Sequence, residues 1–255
     1  MYFFYKCSCK KAVAFFLLWK TFFYDKTEVQ KILESAMKKT VNGKCIIVGA
    51  GDFDEKEIAL AAGDYLIAAD GGYKSLKQIG QIPHLLVGDF DSLTYEPKNI
   101  EILRLDKNKD DTDMLAAIKI GFSKGYKKFE LYGSSGSRLD HYVANLTCLN
   151  YILLQGGEGK LIDKNSEAVM IRNAKWKFEE NYKGFISVLS WGPIAKGVTE
   201  KGLKYQLNKA DLFDSYPVGV SNDFINCNGY VEVADGTLVI IYQRQKIVNK
   251  KKENC

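Results

Sequence analysis

Leu85-Leu86-Val87-Gly88-Asp89-Phe90-Asp91-Ser92 is an apolar run that stops on two carboxylates. The run reads as a short buried strand. The carboxylates stand at i and i+2, so strand alternation sets both on one face, and a turn after the strand can aim both at one point. Gly88 in front of them lets the backbone come close to a ligand. Ser92 behind them suits the start of a helix or turn. Carboxylates at the carboxyl end of a strand lie where open α/β sheets bind their ligands. Oxygen donors of this kind suit Mg²⁺, commonly held by one or two carboxylates together with substrate phosphates. An Asp-x-Asp pair also occurs in plain surface turns. Here two further polar clusters accompany it at helix starts, Lys109-Asp110-Asp111-Thr112-Asp113 and Arg138-Leu139-Asp140-His141.

Outward from that turn, strand, loop and helix alternate from residue 44 onward. The expected strands are 45–48, 65–69, 85–87, 102–105 and 129–132. One expected helix opens with Asp54-Glu55-Lys56-Glu57, which resembles a capping box, and runs through Ala62. Others cover 73–79, 112–122 and 139–154. The last places Leu139, Tyr142 or Val143, Leu146, Leu149 and Leu153 at core spacing. Such alternation predicts a parallel sheet with helices on both faces. Near residue 160 the rhythm changes to short strands at 160–163, 167–171, 185–189, 197–203, 218–226, 230–233 and 238–242, separated by turn signals such as Asp163-Lys164-Asn165 and Asp235-Gly236. The expected fold class is therefore α/β: an N-terminal parallel-sheet domain over 41–160, then a smaller antiparallel β-sandwich domain over 161–245. Residues 1–40 read as an appendage and 246–255 as a basic tail.

The chain has 255 residues, 46% of them hydrophobic, enough for an ample core. Residues 1–36 carry +3 and 244–255 carry +4 of a total of +5, so 37–243 carries −2. The basic balance thus sits at the ends and gives no reason to expect nucleic acid. The apolar run at 12–19 is too short to span a bilayer, and the bulky Thr21-Phe22-Phe23-Tyr24 after it offers no small-residue cleavage site. No membrane association is expected. The six cysteines form no C-x-x-C pair, which argues against zinc. Cys45 and Cys148 fall inside apolar elements and read as small buried hydrophobes in a reducing, cytoplasmic setting.

Gly49-Ala50-Gly51 follows a strand, yet position 54 is Asp where a dinucleotide fingerprint needs a third glycine, and Asp52 would repel a pyrophosphate. No P-loop motif is present. Asp70-Gly71-Gly72 can clear space for a nucleotide and offer a carboxylate to a ribose or a metal-bound water, or be a plain tight turn. Gly133 to Arg138 can cradle phosphates through backbone N–H groups, with Arg138 adding a charged fork. Asp140 would complete a metal shell with Asp89 and Asp91. His141 orients a neighbour, touches a base, or is structural.

The ordered set I-I-V-G-A-G-D (46–52), A-A-D-G-G (68–72), V-G-D-F-D-S (87–92), K-D-D-T-D (109–113), G-S-S-G-S-R-L-D-H (133–141), G-L-K-Y (202–205) and G-V-S-N-D-F (219–224) resembles bacterial-type thiamine pyrophosphokinase (thiamine diphosphokinase). The resemblance implies transfer of pyrophosphoryl from ATP to thiamine, with Mg²⁺, in a homodimer whose active sites lie between subunits. It implies catalytic roles for Asp89, Asp91, Asp113 and Asp140, with Mg²⁺ on Asp89, Asp91 and Asp140. It implies ATP contacts from Asp70, Gly71, Gly72, Thr112, Arg138 and His141, and thiamine contacts from Ser221 and Asn222. Asp113 or Asp140 would accept the hydroxyl proton, and Trp191 or Tyr205 would stack on thiamine. Asp223 departs from the family's more frequent Glu but keeps the carboxylate. The competing readings are a non-catalytic binder of thiamine diphosphate or nucleotide, and a nucleotide-sugar or dinucleotide enzyme, which the incomplete glycine fingerprint opposes.

Overall fold

The structure is a computed structural model, and it describes residues 41–51, 58–89, 100–106, 110–136, 138–225 and 228–245. Six parallel strands form its first half: β1 (Lys44–Val48), β2 (Tyr65–Ala69), β3 (Leu85–Gly88), β4 (Glu101–Arg104), β5 (Lys128–Tyr132) and β6 (Glu158–Ile162). Three helices connect them among the described residues: α1 (Gly72–Gln78), α2 (Asp113–Ser123) and α3 (Leu139–Leu154). In β1 the strand period of two is plain. Cys45 and Ile47 enter the core under α2 and α3, while Ile46 and Val48 enter the core on the other face, with Tyr73 and Leu76 of α1. Burial on both faces explains why these strands read as unbroken apolar runs.

The helix ends follow their sequences. Thr112 caps α2, its Oγ accepting the Leu115 N–H at 3.2 Å, and Asp113 lies favourably in the first turn. In α3 the buried stripe is Asn145, Leu146, Cys148, Leu149 and Ile152. The expected stripe is corrected at Leu139, which is exposed; of the alternatives Tyr142 and Val143, Tyr142 packs against the core and Val143 is exposed. The expected helix over 54–62 is not found in its described part: 54–57 lie outside the described residues and 58–62 form no helix.

The second half contains β7 (Ser166–Arg172), β8 (Lys175–Lys177), β9 (Phe185–Ser190), β10 (Ile194–Lys201), β11 (Ala210–Phe213), β12 (Asn222–Asp223), β13 (Tyr230–Glu232) and β14 (Thr237–Gln243). Its layers are not independent of the first half. β6 pairs parallel with β5 and antiparallel with β7, so one ten-stranded sheet runs β12-β9-β14-β7-β6-β5-β1-β2-β3-β4. The strand direction reverses at 163–165, where the polar turn Asp163-Lys164-Asn165 stands. The second sheet, β11-β10-β13-β8, covers only the antiparallel end. Within β7, Ala168 and Met170 face the helical core while Val169 and Ile171 face the core between the two sheets. The expected strand at 218–226 shrinks to the two residues of β12, and β8 and β11 are strands the pattern did not announce. No described helix is long and apolar enough to cross a membrane.

Candidate active site

A cleft of about 780 Å³ opens at the carboxyl ends of β1, β2 and β5, below the first turns of α2 and α3. In the strand order β5-β1-β2 the chain leaves β1 on one side and returns as β5 on the other, which is the switch point where open sheets bind ligands. Two backbone loops form its floor. Gly49 N–H donates to Tyr132 C=O at 2.8 Å, and Gly51 N–H to Gly133 C=O at 2.9 Å. A Cβ on Gly51 would collide with the Ser135 carbonyl, and Gly133 has φ +58° with the Gly49 carbonyl where its Cβ would be. Asn145 ties the second loop to α3 by donating to the Ser134 carbonyl at 2.8 Å. The Ser134 hydroxyl lines the cleft, buried, with no hydrogen-bond partner among the described residues.

Of the expected nucleotide and catalytic residues, Asp70, Thr112, Asp113, Arg138, Asp140 and His141 line this cleft. Asp70 ends β2 in a left-handed turn with φ +46°, its N–H donating to Val87 C=O at 2.7 Å. Backbone strain of that kind gathers at ligand clamps. Gly71 and Gly72 are closely packed: a Cβ on Gly72 would strike the Val48 carbonyl, and one on Gly71 would lie 2.8 Å from Ala50 Cβ. Gly88 is closely packed as well. The space its missing side chain leaves is filled by Asp70, whose Cα would lie 3.1 Å from an added Cβ.

Of the expected shell of Asp89, Asp91 and Asp140, the described residues include Asp89 and Asp140. Asp89 follows β3 outside the cleft lining, Asp91 lies outside the described residues, and no described group of three His, Cys, Asp or Glu side chains is placed to hold a metal. Asp140 is gripped by Arg138, Nη2 to Oδ2 at 2.5 Å and Nε to Oδ1 at 3.2 Å. The Arg138 hydrogen bonds hold the Asp140 carboxyl below its usual pKa. Both side chains are exposed, so water screens the pair. The donor chemistry nevertheless fits Mg²⁺, which keeps several waters and takes one or two carboxylates plus phosphates rather than a cage of protein ligands.

Ser221 and Asn222 stand elsewhere, at the far edge of the ten-stranded sheet. Asn222 is buried and its amide is fully used. Oδ1 accepts Tyr205 N–H at 3.0 Å and Asp223 N–H at 2.9 Å, while Nδ2 donates to Tyr205 C=O at 2.6 Å and to Glu200 Oε2 at 3.2 Å. Asn222 therefore clamps one loop to another. Ser221, with φ +58° and its N–H on Ser187 Oγ at 3.1 Å, is exposed, as is Tyr205. Trp191 packs at the margin of the helical core. Sequence reasoning missed Glu200. Its inward register, two residues after buried Val198, was the available signal. Burial pushes its carboxyl up to about 7, opposed by the Asn222 hydrogen bond.

Two family models match in succession: "Thiamin pyrophosphokinase, catalytic domain" over residues 57–157 and "Thiamin pyrophosphokinase, vitamin B1 binding domain" over 167–238. Together they span about two-thirds of the chain. The thiamine pyrophosphokinase of Bacillus subtilis (strain 168) is 27% identical over 186 residues, 69% of this chain and 85% of that protein. The crystal structure of a Bacillus subtilis thiamine pyrophosphokinase superposes with a TM-score of 0.73 at 23% identity, over 80% of this chain and 100% of that one. The Candida albicans enzyme gives 0.64 at 17% identity, over 80% and 90%. At those identities the superpositions speak for the fold.

Proposed function

Because the chain belongs to the thiamin pyrophosphokinase family and is a transferase of that family, we propose that it moves the pyrophosphoryl group of ATP to the hydroxyl of thiamine in a Mg²⁺-dependent reaction. The observation that carries this reading is the switch-point cleft lined by Asp70, Asp113, Arg138 and Asp140. The thiamine oxygen attacks the β-phosphorus, the bond from that phosphorus to the α,β-bridging oxygen breaks, and AMP leaves with the electron pair. The hydroxyl proton passes to a carboxylate, Asp113 or Asp140. Such transfers depend on positioning and charge neutralisation more than on covalent chemistry.

Asp70 and Thr112 line the cleft that would take the nucleotide, and the loop 133–136 would offer backbone N–H groups to its phosphates. Arg138 can turn its fork from Asp140 to a phosphate, since an exposed pair resists little. With Arg138 so turned, Asp140 together with Asp89 and Asp91 would hold Mg²⁺, which would supply charge neutralisation on the phosphates and the leaving AMP. The free thiols of Cys45 and Cys148 agree with a reducing compartment, and we assign the cytoplasm.

The two halves of the site support a homodimer. β12, beside the Ser221 and Asn222 segment, is five strand spacings from β5, roughly 24 Å at about 4.8 Å per spacing. That is too far for one chain's thiamine segment to serve its own nucleotide cleft. Phe213, Tyr216, Val218, Val220 and Ile225 are exposed near that edge, an apolar surface suited to a second copy. A complementation experiment tests this. Asp113→Asn and Ser221→Trp homodimers should each be nearly inactive, and a sample of both, unfolded and reassembled together, should regain about a quarter of parent activity, since half the dimers are mixed and each holds one intact site. Verified mixed dimers with no regained activity would overturn the shared site.

A further inference from the structure

Glu200 lies on β10, and only 1% of it is exposed. It shares the sandwich interior with Val198, Leu203 and Val231, among the apolar groups that fill this core. A carboxyl in such a place is costly unless partnered, and an apolar residue would fill the position at less expense to stability. Its one hydrogen bond among the described side chains runs to the Asn222 amide, and Oε1 has no partner. The carboxyl therefore contributes little that packing needs. What it does contribute is the fourth hydrogen bond of an amide whose other three hold Tyr205 N–H, Tyr205 C=O and Asp223 N–H. The main chain repeats the link at this level, with Glu200 N–H donating to Leu207 C=O at 3.0 Å and Lys204 N–H to Asp223 C=O at 2.8 Å.

We propose that Glu200 is a positioning residue for the thiamine half of the site: acting through Asn222, it fixes residues 203–205 against 221–223 and so sets where the exposed Tyr205 and Ser221 stand. The inference rests on the reading that this segment, inside the match to the vitamin B1 binding domain, takes thiamine. Asn222 is then a clamp rather than a direct ligand, and Glu200 keeps the clamp in one rotamer.

The test compares parent, Glu200→Met, Glu200→Thr and Glu200→Gln in steady-state kinetics with each substrate varied. Met fills the volume without an acceptor, Thr favours a strand but cannot reach Asn222, and Gln keeps a carbonyl for the same N–H. Loss of one hydrogen bond should raise KM for thiamine about 10-fold in Glu200→Met, with kcat and KM for ATP within about twofold of parent. Glu200→Gln should restore thiamine KM to within about twofold of parent. If Glu200→Met does not fold, Glu200→Thr carries the same expectation. Unchanged thiamine KM in a folded Met or Thr variant would overturn the proposal, as would an equal rise in both KM values or failure of Gln to rescue. Parent protein that neither turns over nor binds thiamine by calorimetry would instead overturn the functional reading beneath it.

Discussion

Replacing Asp89 or Asp91 with Asn should lower turnover by about 10³-fold while the protein still folds. The substitution keeps the shape of the side chain and removes the charge. Charge placed where a transition state develops it is worth about 10²- to 10³-fold per group, and a carboxylate that would hold the metal would act through the charge stabilisation the metal supplies. Folding should survive because Asp89 stands beyond the last residue of β3, after the sheet bonds that matter are made, Leu105 N–H to Gly88 C=O at 2.9 Å among them. Substitutions off the core usually change stability by well under about 1 kcal/mol. If the two carboxylates act as a unit, the double variant should be scarcely worse than either single one. Initial rates of AMP release at saturating Mg²⁺, beside a thermal melt, read both parts. A fully active double variant would reject the metal assignment.

Gly51→Ala should damage fold and function together. The added methyl meets the Ser135 carbonyl and must push the 133–136 loop away, breaking the Gly51 N–H to Gly133 C=O bond that joins the two loops. Overpacking of backbone against backbone costs about 3 kcal/mol, or roughly 10 °C in Tm for a domain of this size. The same displacement opens the cleft floor. Misplacing a substrate by about 1 Å can cost about 10²-fold, so kcat/KM for ATP should fall by at least that factor. Parallel melts and ATP-dependent rates check it. Parent-like values for both would show that the loops are not packed this way.

What was legible in the sequence follows from locality. The parallel strands announce themselves because β1, β2 and β3 are buried on both faces and carry no polar interruption. The second helix announces its start because Thr112 must cap it. The resemblance implies Asp70, Thr112, Asp113, Arg138, Asp140 and His141 as site residues, and all six line one cleft at those strand ends and helix starts. What depends on distant pairing was not legible. That β6 serves as the hinge between parallel and antiparallel halves of one sheet is set by β5 and β7, not by its own residues. A strand was expected over 218–226, yet most of its described side chains are exposed, and the described pairing is β12 with an isolated bridge from Phe224 to Leu203. Leu139 fits a helical core stripe by spacing but begins the helix at the cleft rim, beyond the sheet's cover. Glycines at 72 and 88 also allow close packing, against the Val48 carbonyl and against Asp70, which only the distant pairing of the strands reveals. Asn222 buries its amide against Tyr205 and Glu200, while Ser221, in a left-handed turn just before β12, is exposed, and neither placement is set by local sequence.

The most direct measurement is product analysis by mass spectrometry after incubating the purified protein with ATP, Mg²⁺ and thiamine. Pyrophosphoryl transfer predicts thiamine diphosphate and AMP in equal amounts, and neither when Mg²⁺ is chelated. ADP with thiamine monophosphate, or AMP with no phosphorylated thiamine, would contradict it.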